Sequence, residues 1–391
     1  MNYRVPMGHV SITPNERDAV LRTLEAGHLS PGPQSVLFEK KFSRYAGGEQ
    51  GVLMNSGTDA LRISLLAMKE FYRWDDTDEV IVPALTFVAT VNAVLQAKLK
   101  PVFVDVNPVN TPEPYCLDSG YGLAQAITPK TRCILPVHLF GCSAFSERSG
   151  LTAHGNTVIR ILEDSCESLA APLYGDIACF SFYVCHLISL GVGGMAVTNN
   201  KELADLLRSY ANHGRHPSFM GTQRSNAPAQ LSTRFSFERD GYSSRLTEMQ
   251  AAMGLEQLKT IDNRLSRRRD NALQLARLLS GLDLGIPPFP ERLTGHSWMM
   301  FPIVCGPSLD AHKLCVSLEE RGIETRPLMP LLTQPYYKKL FPGEYKKHPV
   351  ALNASENGFY IGCHEHLSEA DIRYVGDVFN DLLKRKELSV A

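Results

Sequence analysis

The chain is organised around the segment Phe180-Ser-Phe-Tyr-Val-Cys-His-Leu-Ile-Ser-Leu-Gly-Val-Gly-Gly-Met195. It predicts a strand that ends at Ser181, then a glycine-rich turn, then a second strand over residues 195–198. His186 follows Ser181 by five residues. On its own, His186 is more often a hydrogen-bonded residue of a half-buried loop than a functional group. A predicted strand upstream ends on an acid, Asp164. The two stretches are therefore interpreted together.

The composition is that of an ordinary globular protein. Of the 391 residues, 44% are hydrophobic and 21% are charged, which is enough for a large core and two lobes. The formal net charge is -1, so we expect neither a nucleic-acid partner nor a membrane-surface partner. Apolar runs are short and the N-terminus has no signal-peptide core, so we expect a cytoplasmic protein without a membrane span.

The nine cysteines are scattered and odd in number. This pattern predicts reduced thiols rather than a disulfide framework. No Cys-x-x-Cys pair occurs, which disfavours a zinc ribbon, and no metal ligands are assigned. Iron–sulfur ligation stays open on this evidence, because its cysteine spacing varies.

Strands and helices alternate through the first half of the chain. Strands are predicted over residues 79–82, 102–105, 133–137 and 158–164, and helices over residues 87–96 and 201–212. Such alternation predicts an α/β fold with a parallel sheet covered by helices on both faces. Ligands of such sheets bind at the carboxyl ends of the strands, where we expect Asp105, Asp164 and Ser181. We expect a large cofactor-binding domain over residues 1–255 and a smaller domain over residues 256–391.

Two polar regions lie outside this pattern. Residues 214–240 are poorly patterned and predict a long surface excursion. A later helix carries a basic run, which is interpreted as a solvated helix face: Arg264, Arg267, Arg268 and Arg269.

Asp164 raises the question of its partner. A carboxylate that ends a buried strand is costly unless it meets a cation, and a protonated pyridine nitrogen would serve. Pyridoxal phosphate chemistry needs such a partner, because the charged ring is the electron sink. A helix-capping or salt-bridged aspartate is the alternative.

Other residues suit the same cofactor without being specific to it. Gly57 and Thr58 begin a predicted helix and offer N–H groups to an anion, although a plain capped helix has the same sequence pattern. Ser181 is able to donate to a phosphate, and Phe87 is able to stack on a ring, although a core aromatic is the commoner role. The segment Gly191-Val-Gly-Gly194 lacks the spacing and the downstream acid of a dinucleotide loop, so a Rossmann fold is rejected.

Taken in order, these stretches resemble the DegT/StrS-type sugar aminotransferases over nearly the whole chain. The matching segments are Ser30-Pro-Gly32 with Phe38-Glu39, Asn55-Ser-Gly-Thr-Asp-Ala-Leu61, Val82-Pro-Ala-Leu-Thr-Phe87, Thr128-Pro-Lys-Thr131, Pro136-Val-His-Leu-Phe-Gly141, Glu163-Asp164, Phe180-Ser-Phe182, and Arg245 to Leu255. The resemblance implies the fold-type-I pyridoxal phosphate architecture, with a mainly parallel sheet in a large domain and a smaller α+β C-terminal domain. It also implies a homodimer whose active sites are shared across the interface.

The resemblance assigns the cofactor contacts residue by residue. They are Asp164 at the pyridine nitrogen, Glu167 near the ring hydroxyl where most members have glutamine, Phe87 on the ring face, and Ser181, Gly57 and Thr58 at the phosphate. Ser243 stands where the family has an asparagine that reaches the phosphate of the neighbouring subunit, and its side chain has a shorter reach.

The informative departure is at position 186, where the family has its Schiff-base lysine and this chain has histidine. Imidazole forms no stable covalent link with the cofactor aldehyde, so ordinary transamination is expected to be crippled. Histidine remains a competent general base, with an unperturbed pKa of about 6.5. It would take a proton once bound pyridoxamine phosphate has condensed with a 4-keto sugar, so that the neighbouring hydroxyl is expelled.

The family has a histidine-bearing branch of 3-dehydratases, which act on nucleotide-linked 4-keto-6-deoxy sugars. One sub-type carries a 2Fe–2S cluster and a closely spaced Cys-x-Cys pair. The other sub-type, the GDP-4-keto-6-deoxymannose 3-dehydratases, has no cluster and takes its amino group from glutamate. No Cys-x-Cys occurs in this chain, which favours the cluster-free sub-type.

Two other readings stay open. Val192 stands where the family usually has glutamate, and together with Ser243 it supports a non-catalytic relative that only binds cofactor or sugar. A sugar aminotransferase whose lysine was replaced by His186 is the other reading. Whichever reading holds, substrate contacts are expected from the 214–240 excursion and its leading edge, with Arg215 at a diphosphate and His213 or His216 at the sugar. Solvated loop residues are the alternative for these three.

Overall fold

The structure is a computed structural model that describes residues 3–111, 113–117, 121–144, 153–154, 157–169, 173–216, 235–289 and 295–384. The helices are α1 (Pro14–Glu25), α2 (Pro33–Tyr45), α3 (Gly57–Tyr72), α4 (Val88–Gln96), α5 (Tyr121–Ala126), α6 (Lys201–Ala211), α7 (Glu248–Leu258), α8 (Ile261–Leu279), α9 (Ala311–Glu320), α10 (Pro335–Leu340), α11 (Pro349–Asn357) and α12 (Glu369–Leu383). The strands are β1 (Gln50–Met54), β2 (Glu79–Pro83), β3 (Lys100–Val104), β4 (Thr131–Ile134), β5 (Ala153–His154), β6 (Thr157–Val158), β7 (Arg160–Asp164), β8 (Ile177–Ser181), β9 (Gly194–Thr198), β10 (Leu284–Gly285), β11 (Met300–Cys305), β12 (Thr325–Pro327) and β13 (Gly358–Gly362). Most of the predicted 214–240 excursion lies outside the described residues.

A seven-stranded sheet in the order β1-β9-β8-β7-β4-β2-β3 forms the larger layer. The neighbours from β8 to β3 pair in parallel, which confirms the predicted α/β class. Strand β9 is antiparallel to both of its neighbours, because residues 182–193 return directly beside β8 instead of crossing the sheet. Strand β1, which was not predicted, completes this edge.

Helix α3 shows why the sequence pattern worked in this layer. Leu61, Leu65 and Met68 recur at helical spacing, and all three side chains are fully buried against the sheet. Burying such side chains stabilises the fold by about 1.5–3 kcal/mol each. Ser56 caps the helix, since its hydroxyl accepts from the Asp59 N–H at 3.1 Å.

A second, antiparallel sheet in the order β10-β11-β13-β12 lies in the C-terminal part of the chain. Its core is separate from that of the large sheet, and it includes Leu275 of α8, Phe301 of β11, Ile361 of β13 and Phe379 of α12. Strand β13 was not predicted from the sequence. The division of the chain at residues 255 and 256 stays a prediction.

Asp105 follows strand β3 at the predicted edge, but its carboxylate has a structural partner. It accepts hydrogen bonds from the backbone N–H groups of Val350 at 3.0 Å and Ala351 at 2.9 Å. These groups belong to the first turn of α11, where a carboxylate satisfies unpaired donors. Asp105 therefore fastens α11 to the large sheet.

The interpretation of the basic run as a solvated face is wrong for Arg268, which is buried. Its guanidinium group forms an ion pair with Glu365 at 2.8 Å and donates to the carbonyl of Met299 at 3.0 Å. Arg264, one turn earlier, is partly buried and pairs with the same Glu365 at 2.5 Å, whereas Arg269 is exposed. Across the described residues, no helix combines the length and apolar character that crossing a membrane requires.

Candidate active site

A cavity of about 500 Å³ lies at the carboxyl ends of the parallel strands. Its lining brings together most of the predicted site residues: Gly57, Thr58, Phe87, Asp164, Glu167, Ser181 and His186. They come from the start of α3, the turn after β2, and the ends of β7 and β8. The sheet therefore gathers side chains that are far apart in the sequence.

The start of α3 and the end of β8 form one corner of the cavity. The first N–H groups of a helix have no intrahelical partner, and here they belong to Gly57 and its neighbours. A Cβ atom on Gly57 would lie only 2.8 Å from the Cβ of Ser181 and 2.8 Å from the Sγ of Cys166. Glycine is needed for this close approach. The corner combines a helix N-terminus with a hydroxyl donor, which is the chemistry that binds a phosphate.

Asp164 lies deep in the cavity, with only 5% of its surface exposed. Its carboxylate accepts from the Thr90 hydroxyl at 2.8 Å and the Cys166 N–H at 3.2 Å. Burial raises the pKa of this carboxyl group despite those donors. No lysine or arginine among the described residues forms an ion pair with it. A cationic group bound in the cavity would supply the missing partner.

The neighbouring acid, Glu163, forms hydrogen bonds that hold the surrounding structure together. One of its oxygens accepts from the backbone N–H groups of Tyr174 at 2.8 Å and Gly175 at 2.6 Å. The other accepts from Nε2 of His138 at 3.0 Å. Nδ1 of His138 accepts from the Ala144 N–H at 2.8 Å, so His138 is a neutral Nε2–H tautomer. The pair therefore supports the sheet behind Asp164 without supplying a cation.

His186 is held by one ring nitrogen. Its Nδ1–H donates to the backbone carbonyl of Cys166 at 2.6 Å, which fixes the tautomer and leaves Nε2 with its lone pair. Burial lowers the pKa of His186 to about 4. The imidazole is therefore neutral at neutral pH and is ready to accept a proton at Nε2.

Glu167, like Asp164, is a carboxyl group of the lining whose pKa is raised by burial. Burial raises the pKa of Glu167 to about 7, although the Phe140 N–H donates to its Oε2 at 2.6 Å and opposes the shift. A substantial fraction of this carboxyl group is a neutral acid at neutral pH. The cavity therefore holds a neutral base and a neutral acid in the same lining.

The mouth of the cavity is apolar and open. The side chain of Phe87 is 58% exposed and that of Val192 is 54% exposed. The carbonyl of Val192 accepts from Nε2 of Gln250 at 2.6 Å, a contact that a residue of any side chain would make. The described residues that line the cavity include no lysine and no arginine.

The remaining predicted residues gather at a second site, a crevice of about 410 Å³. Its lining includes Arg208, Arg215 and Arg245. The guanidinium group of Arg245 donates to the Ser243 hydroxyl at 2.9 Å and lies 3.4 Å from Nε2 of His213. The structure therefore groups Ser243, His213 and Arg215 at the crevice, outside the lining of the cavity. Arg245 was missed as a site residue, although it ends the Gly241-Tyr-Ser-Ser-Arg245 segment.

His216, the other candidate for the sugar, faces an acid. Its Nε2 lies 3.5 Å from a carboxylate oxygen of Glu238. His216 is not part of the cavity lining. Its role in substrate binding stays a prediction.

Comparison with known proteins gives a consistent result. Residues 10–380 match the model of the DegT/DnrJ/EryC1/StrS aminotransferase family. A GDP-perosamine synthase of Caulobacter vibrioides is 32% identical over 381 residues, which cover 94% of this chain and 95% of the relative. The spore coat polysaccharide biosynthesis protein SpsC of Bacillus subtilis is 29% identical and matches over 98% of each chain.

Two similar solved structures are named as dehydratases, whereas the first sequence relative above is named a synthase. The E coli GDP-4-keto-6-deoxy-D-mannose-3-dehydratase with bound hydrated PLP has a TM-score of 0.83 at 25% identity, covering 97% of this chain and all 100% of that one. ColD, a GDP-4-keto-6-deoxymannose-3-dehydratase with bound GDP-perosamine, has the same TM-score of 0.83 and 25% identity over 96% of this chain. The predicted fold-type-I architecture is confirmed. On the match over residues 10–380, the chain belongs to the DegT/DnrJ/EryC1/StrS aminotransferase family.

Proposed function

We propose that this protein is a pyridoxamine phosphate-dependent 3-dehydratase of a nucleotide-linked 4-keto-6-deoxy sugar. The observation that carries the proposal is His186, a neutral base with a free Nε2, in a cavity whose described lining contains no lysine. A cavity without an amine suits chemistry in which the protein moves protons and the cofactor is held non-covalently.

The residues present fit pyridoxal or pyridoxamine 5'-phosphate. Asp164 is a buried carboxylate that lacks a cationic partner among the described residues, and it would face the pyridine nitrogen. Ser181 and the α3 N-terminus at Gly57 and Thr58 would hold the phosphate. Phe87 has an exposed ring that would cover one face of the cofactor. When bound, the cofactor supplies an amine for the substrate carbonyl and an electron sink.

His186 would take the proton that begins the elimination. Its Nδ1–H is anchored to Cys166, so the ring is oriented and Nε2 is the basic atom. The low pKa keeps Nε2 unprotonated through the neutral range. The released electron pair then expels the hydroxyl group on the neighbouring sugar carbon.

The distribution of charge favours a homodimer. An anionic cofactor and a nucleotide-sugar both need cations, and the described cavity lining has none, whereas the crevice carries three arginines. Apolar side chains on α1, α2 and the segment between them are exposed: Leu21, Leu24, Leu29, Val36 and Leu37. Such a surface is typical of an interface. We propose that a second copy covers it and brings Ser243 and Arg245 to the phosphate end of this cavity.

Arg215 and His213 lie beside the same crevice residues, and we propose that they contact the diphosphate and the sugar. Glutamate is the proposed donor that regenerates the amine form of the cofactor, because its carboxylates would also use the crevice arginines. The use of glutamate as amino donor distinguishes the proposed dehydratase from the sub-type that carries an iron–sulfur cluster and needs a reductase.

A second candidate is favoured by a specific finding. The C. vibrioides relative at 32% identity is a GDP-perosamine synthase, which suggests a sugar aminotransferase. His186 weighs against it, since imidazole provides no amine for the transfer.

The test uses purified protein with pyridoxal phosphate, glutamate and GDP-4-keto-6-deoxymannose. Dehydration followed by hydrolysis gives a keto sugar with one oxygen atom fewer, whereas transamination gives a 4-amino sugar. Mass spectrometry separates the two products. The 4-amino sugar as the main product contradicts the dehydratase, and turnover of neither kind favours a binding-only relative. The His186→Lys variant serves as the matched comparison, because it restores the amine.

A further inference from the structure

His186 lies in a loop, residues 182–193, that joins β8 to β9 and has no regular secondary structure. Gly191 and Gly193 in this loop have positive φ angles of 80° and 155°, which glycine adopts without strain. The imidazole forms no covalent bond with a cofactor aldehyde. The place of its ring therefore depends on the loop backbone and on the Nδ1–H bond to Cys166. Since a misplacement of about 1 Å costs about 10²-fold in rate, the loop has to be held from outside.

We propose that two glutamines of helix α7, Gln250 and Gln257, are positioning residues that clamp this loop and so hold the His186 ring in the cavity. Neither glutamine belongs to the described cavity lining. The effect on turnover rests on the proposed function, whereas the effect on the surroundings of the ring does not.

Gln257 pairs with the backbone of Ser189 in both directions. Its Oε1 accepts from the Ser189 N–H at 2.8 Å, and its Nε2 donates to the Ser189 carbonyl at 2.8 Å. Only 6% of the surface of Gln257 is exposed. Breaking such a pair is costly, because the groups left behind are shielded from water. Ser189 follows His186 by three residues, so the pair fixes the chain just beyond the ring.

Gln250 holds the end of the same loop. Its Nε2 donates to the carbonyls of Val192 at 2.6 Å and Leu190 at 3.2 Å. Its Oε1 accepts from the Thr247 N–H at 3.1 Å, so the amide is oriented by the first turn of α7. Gln250 and Gln257 are seven residues apart, which places them two turns apart on one face of the helix.

The other contacts of the loop do not replace this clamp. The Leu190 N–H donates to the Phe182 carbonyl at 2.9 Å and the Phe182 N–H donates to the Gly193 carbonyl at 2.8 Å, so these bonds close the loop on itself. Leu187 and Ile188 are buried in the core. Apolar burial is non-directional, so it keeps the loop against the core, whereas hydrogen bonds to a rigid helix fix where along the core it lies.

The clamp has a consequence that is measurable without turnover. Burial lowers the pKa of His186 to about 4, so a loosened loop that admits water should let this pKa rise. The other ionisable groups of the described cavity lining are Asp164, Cys166, Glu167, Tyr183, Cys185 and Tyr360. None of them belongs to α7. An uncharged substitution on α7 therefore changes the pKa of His186 through the position of the loop.

The test compares Gln257→Leu with wild type by NMR titration of the His186 ring and by kinetics with GDP-4-keto-6-deoxymannose. The spectrum of His186→Ala identifies the ring signal. We expect the pKa of His186 to rise from about 4 towards about 6.5 in Q257L. We also expect kcat to fall about 10- to 100-fold with KM little changed, because the base is misplaced while the ligand contacts remain.

Two further variants complete the test. Gln250→Met removes the donors to Leu190 and Val192 without adding charge, and the Thr247 hydroxyl still caps the N–H of residue 250. It should shift the pKa of His186 in the same direction, and it decides the matter if Q257L does not fold. Asn271→Leu is the matched control, since Asn271 is another fully buried amide and donates to the His364 carbonyl at 2.9 Å. It should lower the free energy of unfolding while leaving the pKa of His186 and kcat unchanged.

The outcomes separate the clamp from the proposed function. A wild-type pKa of His186 and a wild-type kcat in the folded glutamine variants would contradict the clamp. Equal shifts in Asn271→Leu would contradict it too, because they would reflect general loosening. If wild-type protein turns over no 4-keto sugar, the dehydratase function is wrong, whereas the NMR titration still decides whether the glutamines hold the ring.

Discussion

The cavity and the crevice adjoin each other, and their ionisable side chains have opposite charge. The described cavity lining offers the carboxyl groups of Asp164 and Glu167 and no cation. The crevice offers three arginines, of which Arg208 is neutralised by Glu39 at 3.1 Å. They are close neighbours, since a Cβ on Gly193 of the cavity would lie 2.9 Å from Leu246 of the crevice.

Neither region is by itself a complete site for an anionic ligand. The cavity has the groups for proton transfer but lacks the cations that hold phosphates and carboxylates. The crevice has the cations but no base placed for chemistry. Two copies facing each other across a twofold axis would combine the two sets. Each of the following changes tests one side of this contrast.

The largest effect is expected from His186→Ala, which removes the base from the cavity. We expect turnover to fall about 10³-fold, because proton abstraction then has no positioned acceptor. Cofactor binding should persist, since Asp164 and the phosphate corner remain. The measurements are product formation by mass spectrometry and cofactor affinity by absorbance titration. Undiminished turnover would show that another group is the base.

Arg245→Gln should lower turnover about a hundredfold, because a charged hydrogen bond to an anionic ligand is lost. Mixing this variant with His186→Ala tests where Arg245 acts. If sites are shared between copies, each hybrid dimer has one intact site, and an equal mixture should recover about a quarter of wild-type activity.

The matched control mixes His186→Ala with Asp164→Asn. Both changes lie in the cavity, so no hybrid site is intact, and the activity of the mixture should not exceed the mean of the two variants measured separately. Recovery of activity in this control would contradict the proposal that the cavity of one copy works with the crevice of the other. The absence of recovery in the Arg245 mixture would contradict it as well.

Asp164→Asn should weaken cofactor binding about thirtyfold, because the buried carboxylate would lose its charge opposite the pyridine nitrogen. An absorbance titration measures the dissociation constant. Asp176→Asn is the control, since Asp176 accepts from Ile161 and Tyr72 outside the cavity lining. Equal effects of the two changes would remove Asp164 from the cofactor site.

The smallest effect is expected from Val192→Glu at the cavity mouth. A new carboxylate there should raise KM for the nucleotide-sugar about two- to fivefold, through partly screened repulsion. The increase should shrink in high salt. Val192→Gln has the same shape without the charge and should leave KM unchanged, so an equal rise in both variants would point to a steric cause.

The α/β class and most of the cavity were predictable because their signals are local. The helix start at Gly57 and the strand ends at Asp164 and Ser181 follow from hydrophobic periodicity and turn residues. Short strands such as β1 and β13 escaped prediction, since their pairing partners supply most of the reason for them to form. Arg268 was misplaced because burial depends on what packs against the helix.

The sequence by its own local patterns was enough to nominate the candidate site residues, above all the histidine at position 186. The protonation and the grouping of these residues depend on the folded structure. Burial disfavours charge on both His186 and Glu167, so it lowers the pKa of His186 to about 4 and raises that of Glu167 to about 7. Ser243 and Arg245 lie in a crevice apart from the cavity. Desolvation and charge pairing depend on neighbours that are distant in sequence, so no local pattern could have fixed them.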